Sequence, residues 1–169
     1  LHAIDEQILV PQYEFVPIWD YYPDMSAKYL HQMDGQFQRI VMSHAQVREL
    51  ADNPDFFKDQ VMKYLNDHPT GNYKQKPYES EIRVLGPHTN VPVNDGRKYE
   101  VLVWDGAVSG HYLRAAGVDI PDDKLGDSIN AVVWQIDDTI IRAAMNPWAI
   151  LDEQEKVNSY HHFVFEEDD

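Results

Sequence analysis

Residues 13–50 constrain the fold most, because the local pattern changes repeatedly over a short distance. An apolar and aromatic run that begins at Ile8 closes on Asp20-Tyr21-Tyr22-Pro23-Asp24, and Pro11 and Pro17 within residues 8–22 point to an edge or irregular strand, since proline cannot donate to a ladder. Asp24 can accept from the free amides of a first helical turn, and Tyr29, Leu30 and Met33 supply an apolar stripe. This predicts a short helix over 26–33, closed by Gly35 as a C-terminal cap. Residues 37–42 are strand formers, and Ser43 with Gln46 three positions later is a capping-box pattern that introduces Val47, Leu50 and Ala51. A strand that runs straight into a capped helix predicts an α+β class, with helices against short mixed or antiparallel strands.

The remainder supports that class. Asn53-Pro54-Asp55 has the chemistry of a helix N-terminus, and Phe57, Val61, Tyr64, Leu65 and His68 follow at helical spacing until Pro69 and Gly71. The polar segment 70–80 reads as a linker, so a division falls near residue 80, giving parts 1–80 and 81–169. Residues 81–85 read as a short strand, and residues 98–104 as a strand with Tyr99, Val101 and Val103 on one face. Asp105-Gly106 reads as its end, followed by a helix through Val108, Tyr112, Leu113 and Ala116. Residues 129–136 and 139–145 are β-branched and separated by Asp137-Asp138, which predicts a hairpin although its turn lacks glycine. Residues 160–165 alternate as a last strand.

Charge and motifs narrow the chemistry. With 14 basic and 29 acidic residues the formal charge is -15, so the chain lacks the positive footprint of a phosphate-gripping domain. It has no cysteine, which removes disulfides and thiolate metal sites. No run of about 18 apolar residues and no signal-peptide pattern occurs, from which a soluble, unexported chain without membrane association is expected. The start without Met and the stop on Glu166-Glu167-Asp168-Asp169 point to a piece of something longer. His161 and His162 are adjacent on a predicted strand and so face opposite ways, a poor start for chelating one ion. No nucleotide-binding glycine motif is present, and the GAVSG of residues 106–110 does not have the spacing of a nucleophile elbow. The expectation is a protein that is not an enzyme and takes no cofactor or metal. Trp19, Tyr21, Tyr22, Trp104, Trp134 and Trp148 are candidate interface aromatics, with core packing as the competing use of the same side chains.

The order of parts in residues 15–50 (an aromatic strand closing on an aspartate-proline junction, a short helix, a Phe-X-X-Ile-Val strand, a capped helix) resembles that of the portal proteins of tailed bacteriophages. The downstream KYEVLVWDG of residues 98–106, the segment 113–117, the hairpin over 132–144, Asn146-Pro147 and the closing SYHHFVFEEDD are similar to portals of short-tailed phages. The resemblance implies a structural head-to-tail connector: a ring, commonly of twelve copies, at one vertex of the virion, assembled in the host cytoplasm. Double-stranded DNA passes through it during packaging and ejection. It implies as partners the terminase, head-completion or tail adaptor proteins and the capsid protein. Residues 1–80 would be wing- and stem-like and residues 81–169 clip-like. A conduit should grip DNA weakly, so Asp122, Asp123, Asp127, Asp137 and Asp138 are candidates for a channel-facing acidic wall; ordinary turn solvation explains the same aspartates. The alternative from another class is a protein-interaction or adaptor module without a conduit.

Overall fold

The strand β3 (Lys98–Ser109) is the spine of the molecule, with Tyr99, Val101 and Val103 buried at alternate positions. In the computed structural model, which describes residues 16–28, 32–85 and 97–145, β2 (Gly35–Ser43) lies on one side of it and β4 (Ser128–Ile136) on the other. The edges are β1 (Tyr21–Pro23) and β5 (Thr139–Met145), giving a five-stranded sheet in the order β1-β2-β3-β4-β5 with every pairing antiparallel. Helices α1 (His44–Leu50), α2 (Lys58–Asp67), α3 (Pro77–Leu85) and α4 (Gly110–Ala115) complete an α+β fold, the class the sequence predicts.

Residues directly opposite in an antiparallel pair share a face. Ile40 opposite Val101 and Met42 opposite Tyr99 therefore form one surface, and it packs on Val47 of α1 and on Val61, Tyr64 and Leu65 of α2. Ile141 joins this core through a bulge in β5: Trp134 pairs with Arg142 and Gln135 with Ile140, so Ile141 has no partner strand residue. Its carbonyl instead accepts from the Phe57 amide at 2.8 Å, which fixes the entry to α2. The other face, carrying Trp104 opposite Val133, holds a second cluster in which Ala131 packs under Leu113 of α4 and Ile120.

The capping box forms as the pattern predicts, with the Ser43 hydroxyl accepting from the Gln46 amide and the Gln46 side chain accepting from the Ser43 amide. The β4–β5 hairpin also forms, and Asp137 takes the left-handed conformation that glycine usually supplies, at φ 48. Four expectations need correction. Gly35 is the first residue of β2 rather than a helix cap, and Asp24 accepts from the amide and hydroxyl of Ser26 in a turn; residues 29–31 of the expected helix lie outside the described residues. The helix expected from Pro54 starts at Lys58, because Asn53 accepts from the Asp55 amide and Phe57 is tied to β5. The strand expected over 81–85 is part of α3, which opens on Pro77 with the Glu79 carboxylate accepting from the Lys76 amide, half of a capping box. β3 does not stop at Asp105-Gly106; it continues to Ser109, because Gly106 lets β2 and the Asp34 carbonyl come close. The last predicted strand, 160–165, falls outside the described residues.

Parts 1–80 and 81–169 both contribute strands to this sheet. β2 and β3 pair from Gly35 with Gly106 to Ser43 with Lys98. Where β4 has ended, residues 71–73 lie beside β3: Gly71 bridges to Lys98 in parallel, and Asn72 accepts from the Glu100 amide.

Candidate functional site

The densest polar arrangement was not foreseen from the sequence. Arg39 lies on the face of β2 opposite Ile40 and is almost fully buried, at 3% exposure. Its Nε donates to Glu100 at 2.8 Å, Nη1 to Asp20 at 3.0 Å and to the Tyr78 hydroxyl at 3.3 Å, and Nη2 to Glu79 at 2.6 Å. Glu79 is equally buried, and its second oxygen accepts from the Tyr73 hydroxyl and the Lys76 amide, each at 2.7 Å. The guanidinium also stands over the Tyr73 ring, and Lys76 Nζ approaches Glu100 at 3.7 Å. Four segments meet here: the 18–20 turn, β2, β3 and α3 with the chain leading into it.

The electrostatics follow from that geometry. Burial opposes the charge on Glu79, yet the bonds from Tyr73, Lys76 and Arg39 more than offset it and hold the carboxyl below its ordinary 4.5. Burial works against Arg39 too, and the Glu79 and Glu100 carboxylates reverse it, so the guanidinium stays charged. Asp20 goes the other way: burial dominates over Arg39, and its carboxyl is raised from 3.8. Burial and the bond to Glu79 push the Tyr73 hydroxyl up to about 12. The charged groups are engaged with one another, which makes the cluster a clamp that ties four segments together.

The signs predict an acid response. Glu79, depressed in the fold, contributes stability above 4.5 that disappears as pH falls through its lowered folded value; Asp20, raised, contributes the opposite slope above 3.8. Urea unfolding of the protein and of Glu79→Gln across pH 7 to 3 checks this. The variant should be less stable at pH 7 by about 1–3 kcal/mol, the cost of spoiling a charged buried bond. It should also lose less stability on acidification below 4.5 than the parent chain does, and parallel curves would refute the assignment.

The candidate acidic residues are separated by the structure. Asp122 and Asp123 sit on a single helical turn and Asp127 just before β4, all three exposed, with Asp122 paired at 2.7 Å to Arg114. Asp137 and Asp138 lie at the other end of β4, about 30 Å away by strand rise. Asp137 is exposed as well, and its carboxylate is engaged, accepting from the Tyr64 hydroxyl and from Asn72 at 2.8 Å. Burial and that Asp137 bond push the Tyr64 hydroxyl well above its ordinary value.

The aromatics divide as well. Trp134 is committed to the α2-side core, edge-on to Phe56 at 5.2 Å, with its Nε1 buried and finding no acceptor. Trp104 lies against Phe37 at 4.6 Å and covers Gly35, where any Cβ would collide with the indole. Tyr21 is half-buried and donates to Gln36 at 2.7 Å, whereas Tyr22 is 42% exposed. Trp19 is half-buried on the turn before β1, and Trp148, His161 and His162 fall outside the described residues. Ser109 ends β3 at φ -62 and ψ 136, an ordinary extended residue before α4 and not a strained nucleophile turn. Among the described residues, no group of three or more His, Cys, Asp or Glu side chains is placed to hold a metal ion. An open groove of about 620 Å³ runs along β5 between the start of α2 and the end of α4, lined among others by Phe57, Gln60, Ala116 and Ile140. No protein-family model and no curated protein matches the chain.

Proposed function

We propose that this chain is part of a structural portal subunit, a head-to-tail connector that forms a ring-shaped conduit for double-stranded DNA at the capsid vertex of a short-tailed phage. The observation that carries the reading is the distribution of charge. The net charge is -15, Asp122, Asp123 and Asp127 stand exposed together at one end of the sheet, and Arg39 is consumed inside the fold by three carboxylates. A surface of this kind gives phosphates little to hold, as sliding DNA requires. Asp138 is exposed and stays in the proposed wall, whereas Asp137 serves the hairpin turn. The strand that runs into a capped helix over residues 37–50 and the hairpin over 132–144 support the same reading, with terminase, adaptor proteins and capsid protein as partners in the virion.

The test is the assembly state of the protein that carries this chain. Electron microscopy should show a closed ring with a central channel. Asp122→Lys with Asp123→Lys and Asp127→Lys should leave the ring intact and make it retain duplex DNA at about 50 mM salt, where each added phosphate contact strengthens binding. A lasting monomer would refute the conduit. The adaptor reading draws on the exposed Ile18 and Met25, and it predicts a discrete complex with a partner and no ring.

A further inference from the structure

Among the described residues, the bonds that tie α3 to the sheet are polar side-chain bonds. The Tyr78 hydroxyl accepts from Arg39 Nη1 at 3.3 Å and the Glu79 carboxylate from Nη2 at 2.6 Å, and none of residues 77–81 belongs to either apolar cluster. The chain just before the helix is anchored separately. The Tyr73 amide donates to the Lys98 carbonyl at 3.1 Å and the Tyr73 side chain is buried, while Lys74 and Gln75 are exposed. A fixed point, an exposed connection and a helix held by polar bonds have the makeup of an element that opens by itself. Glu79 governs both the start of that helix and its seat: one oxygen accepts from the Lys76 amide and the Tyr73 hydroxyl, the other from Arg39. The other two carboxylates on Arg39, Glu100 of β3 and Asp20 of the 18–20 turn, are not part of α3, so Arg39 keeps two ion pairs when Glu79 lets go.

We propose that α3 is a hinged element whose opening is set by the charge on Glu79: neutralising this one carboxylate frees α3 from the sheet and loosens its first turn, while the sheet and α2 stay folded. Acid supplies the trigger. Arg39 of β2 and Tyr73 and Lys76 of the connection face Glu79, with Tyr78 on its own helix and Asp20 and Glu100 across the guanidinium. Burial opposes the Glu79 charge, but the bonds from Tyr73, Lys76 and Arg39 prevail, and the seated carboxyl lies below 4.5. Opened into water it takes up a proton more readily than when seated. Falling pH therefore favours the open form, and the seat is strongest above 4.5.

Native-state hydrogen exchange, read by mass spectrometry on the protein that carries this chain, tests the hinge. In urea below the unfolding midpoint, exchange of the amides of residues 81–85 should be nearly independent of urea, as for a local opening, whereas exchange in β3 should climb with it. Glu79→Gln at pH 7 should speed exchange over 81–85 by about 10-fold or more, the loss of one charged buried bond, and keep it independent of urea. Asp20→Asn also takes a carboxylate from Arg39, but one that is present whether α3 is seated or open, so exchange over 81–85 should stay within about 2-fold. Below pH 4.5, with intrinsic exchange rates divided out, the parent chain should approach Glu79→Gln. A urea slope over 81–85 equal to that of β3, no change in Glu79→Gln, or the same change in Asp20→Asn overturns the proposal.

Discussion

Arg39→Met should cost about 3–5 kcal/mol of folding stability, because it leaves Glu79 buried beside Asp20 and Glu100 with the central cation gone. The Tyr73 and Lys76 bonds to Glu79 survive the change but do not neutralise it. In urea this loss appears as a drop in the unfolding midpoint of at least about 1 M, given typical slopes for domains of this size. Arg39→Lys should recover only part of it, since one ammonium cannot reach three carboxylates and a tyrosine hydroxyl from three separate nitrogens. A midpoint within error of the parent chain would show that the cluster is not the clamp described.

Gly106→Ala is the second large effect, at about 3 kcal/mol, the upper part of the overpacking range. A methyl group there would overlap the Gly35 Cα and the Asp34 carbonyl, both main-chain atoms that no rotamer change can move. The Asp34 carbonyl also accepts from the Ala107 amide, so moving it breaks a bond at the point where β2 meets β3. Gly126→Ala is the control, because a Cβ at Gly126 meets nothing within 4 Å, and its effect should stay within about 0.5 kcal/mol. Thermal unfolding of the two variants side by side decides the matter, and equal melting temperatures would remove the close-approach explanation.

Local chemistry was legible in the sequence, and distant chemistry was not. Ser43 and Gln46 specify their cap within one turn, and two β-branched runs separated by two residues specify a hairpin even with aspartate at φ 48. The end placed at Asp105-Gly106 was wrong because a glycine inside a strand looks like a break when its purpose, room for a neighbouring strand, comes from residues near position 35. α3 was hidden in a polar stretch whose order depends on Glu79 reaching Arg39, 40 positions away. For the same reason the Arg39 clamp was invisible: an arginine in a strand pattern reads as a solvent-facing residue until its three carboxylates are brought in from elsewhere. Of the candidate acids, Asp122, Asp123 and Asp127 share one end as exposed groups, while nothing local to Asp137 reveals that Tyr64 and Asn72 claim its carboxylate.

The nine-residue pairing of β2 with β3 has a kinetic consequence. Its nearest rungs, Ser43 and Lys98, are separated by residues 44–97, whereas the β4–β5 hairpin closes over Asp137-Asp138 alone. By loop-closure entropy the long connection starts about 3 kcal/mol behind the hairpin. The meander of β3, β4 and β5 can therefore assemble while β2 is still unattached, and the sheet grows toward its N-terminal edge, against the direction of synthesis. On the ribosome, Ile40 and Met42 can meet α1 and α2 early, but the β2 backbone has to wait for a partner strand that emerges more than fifty residues later.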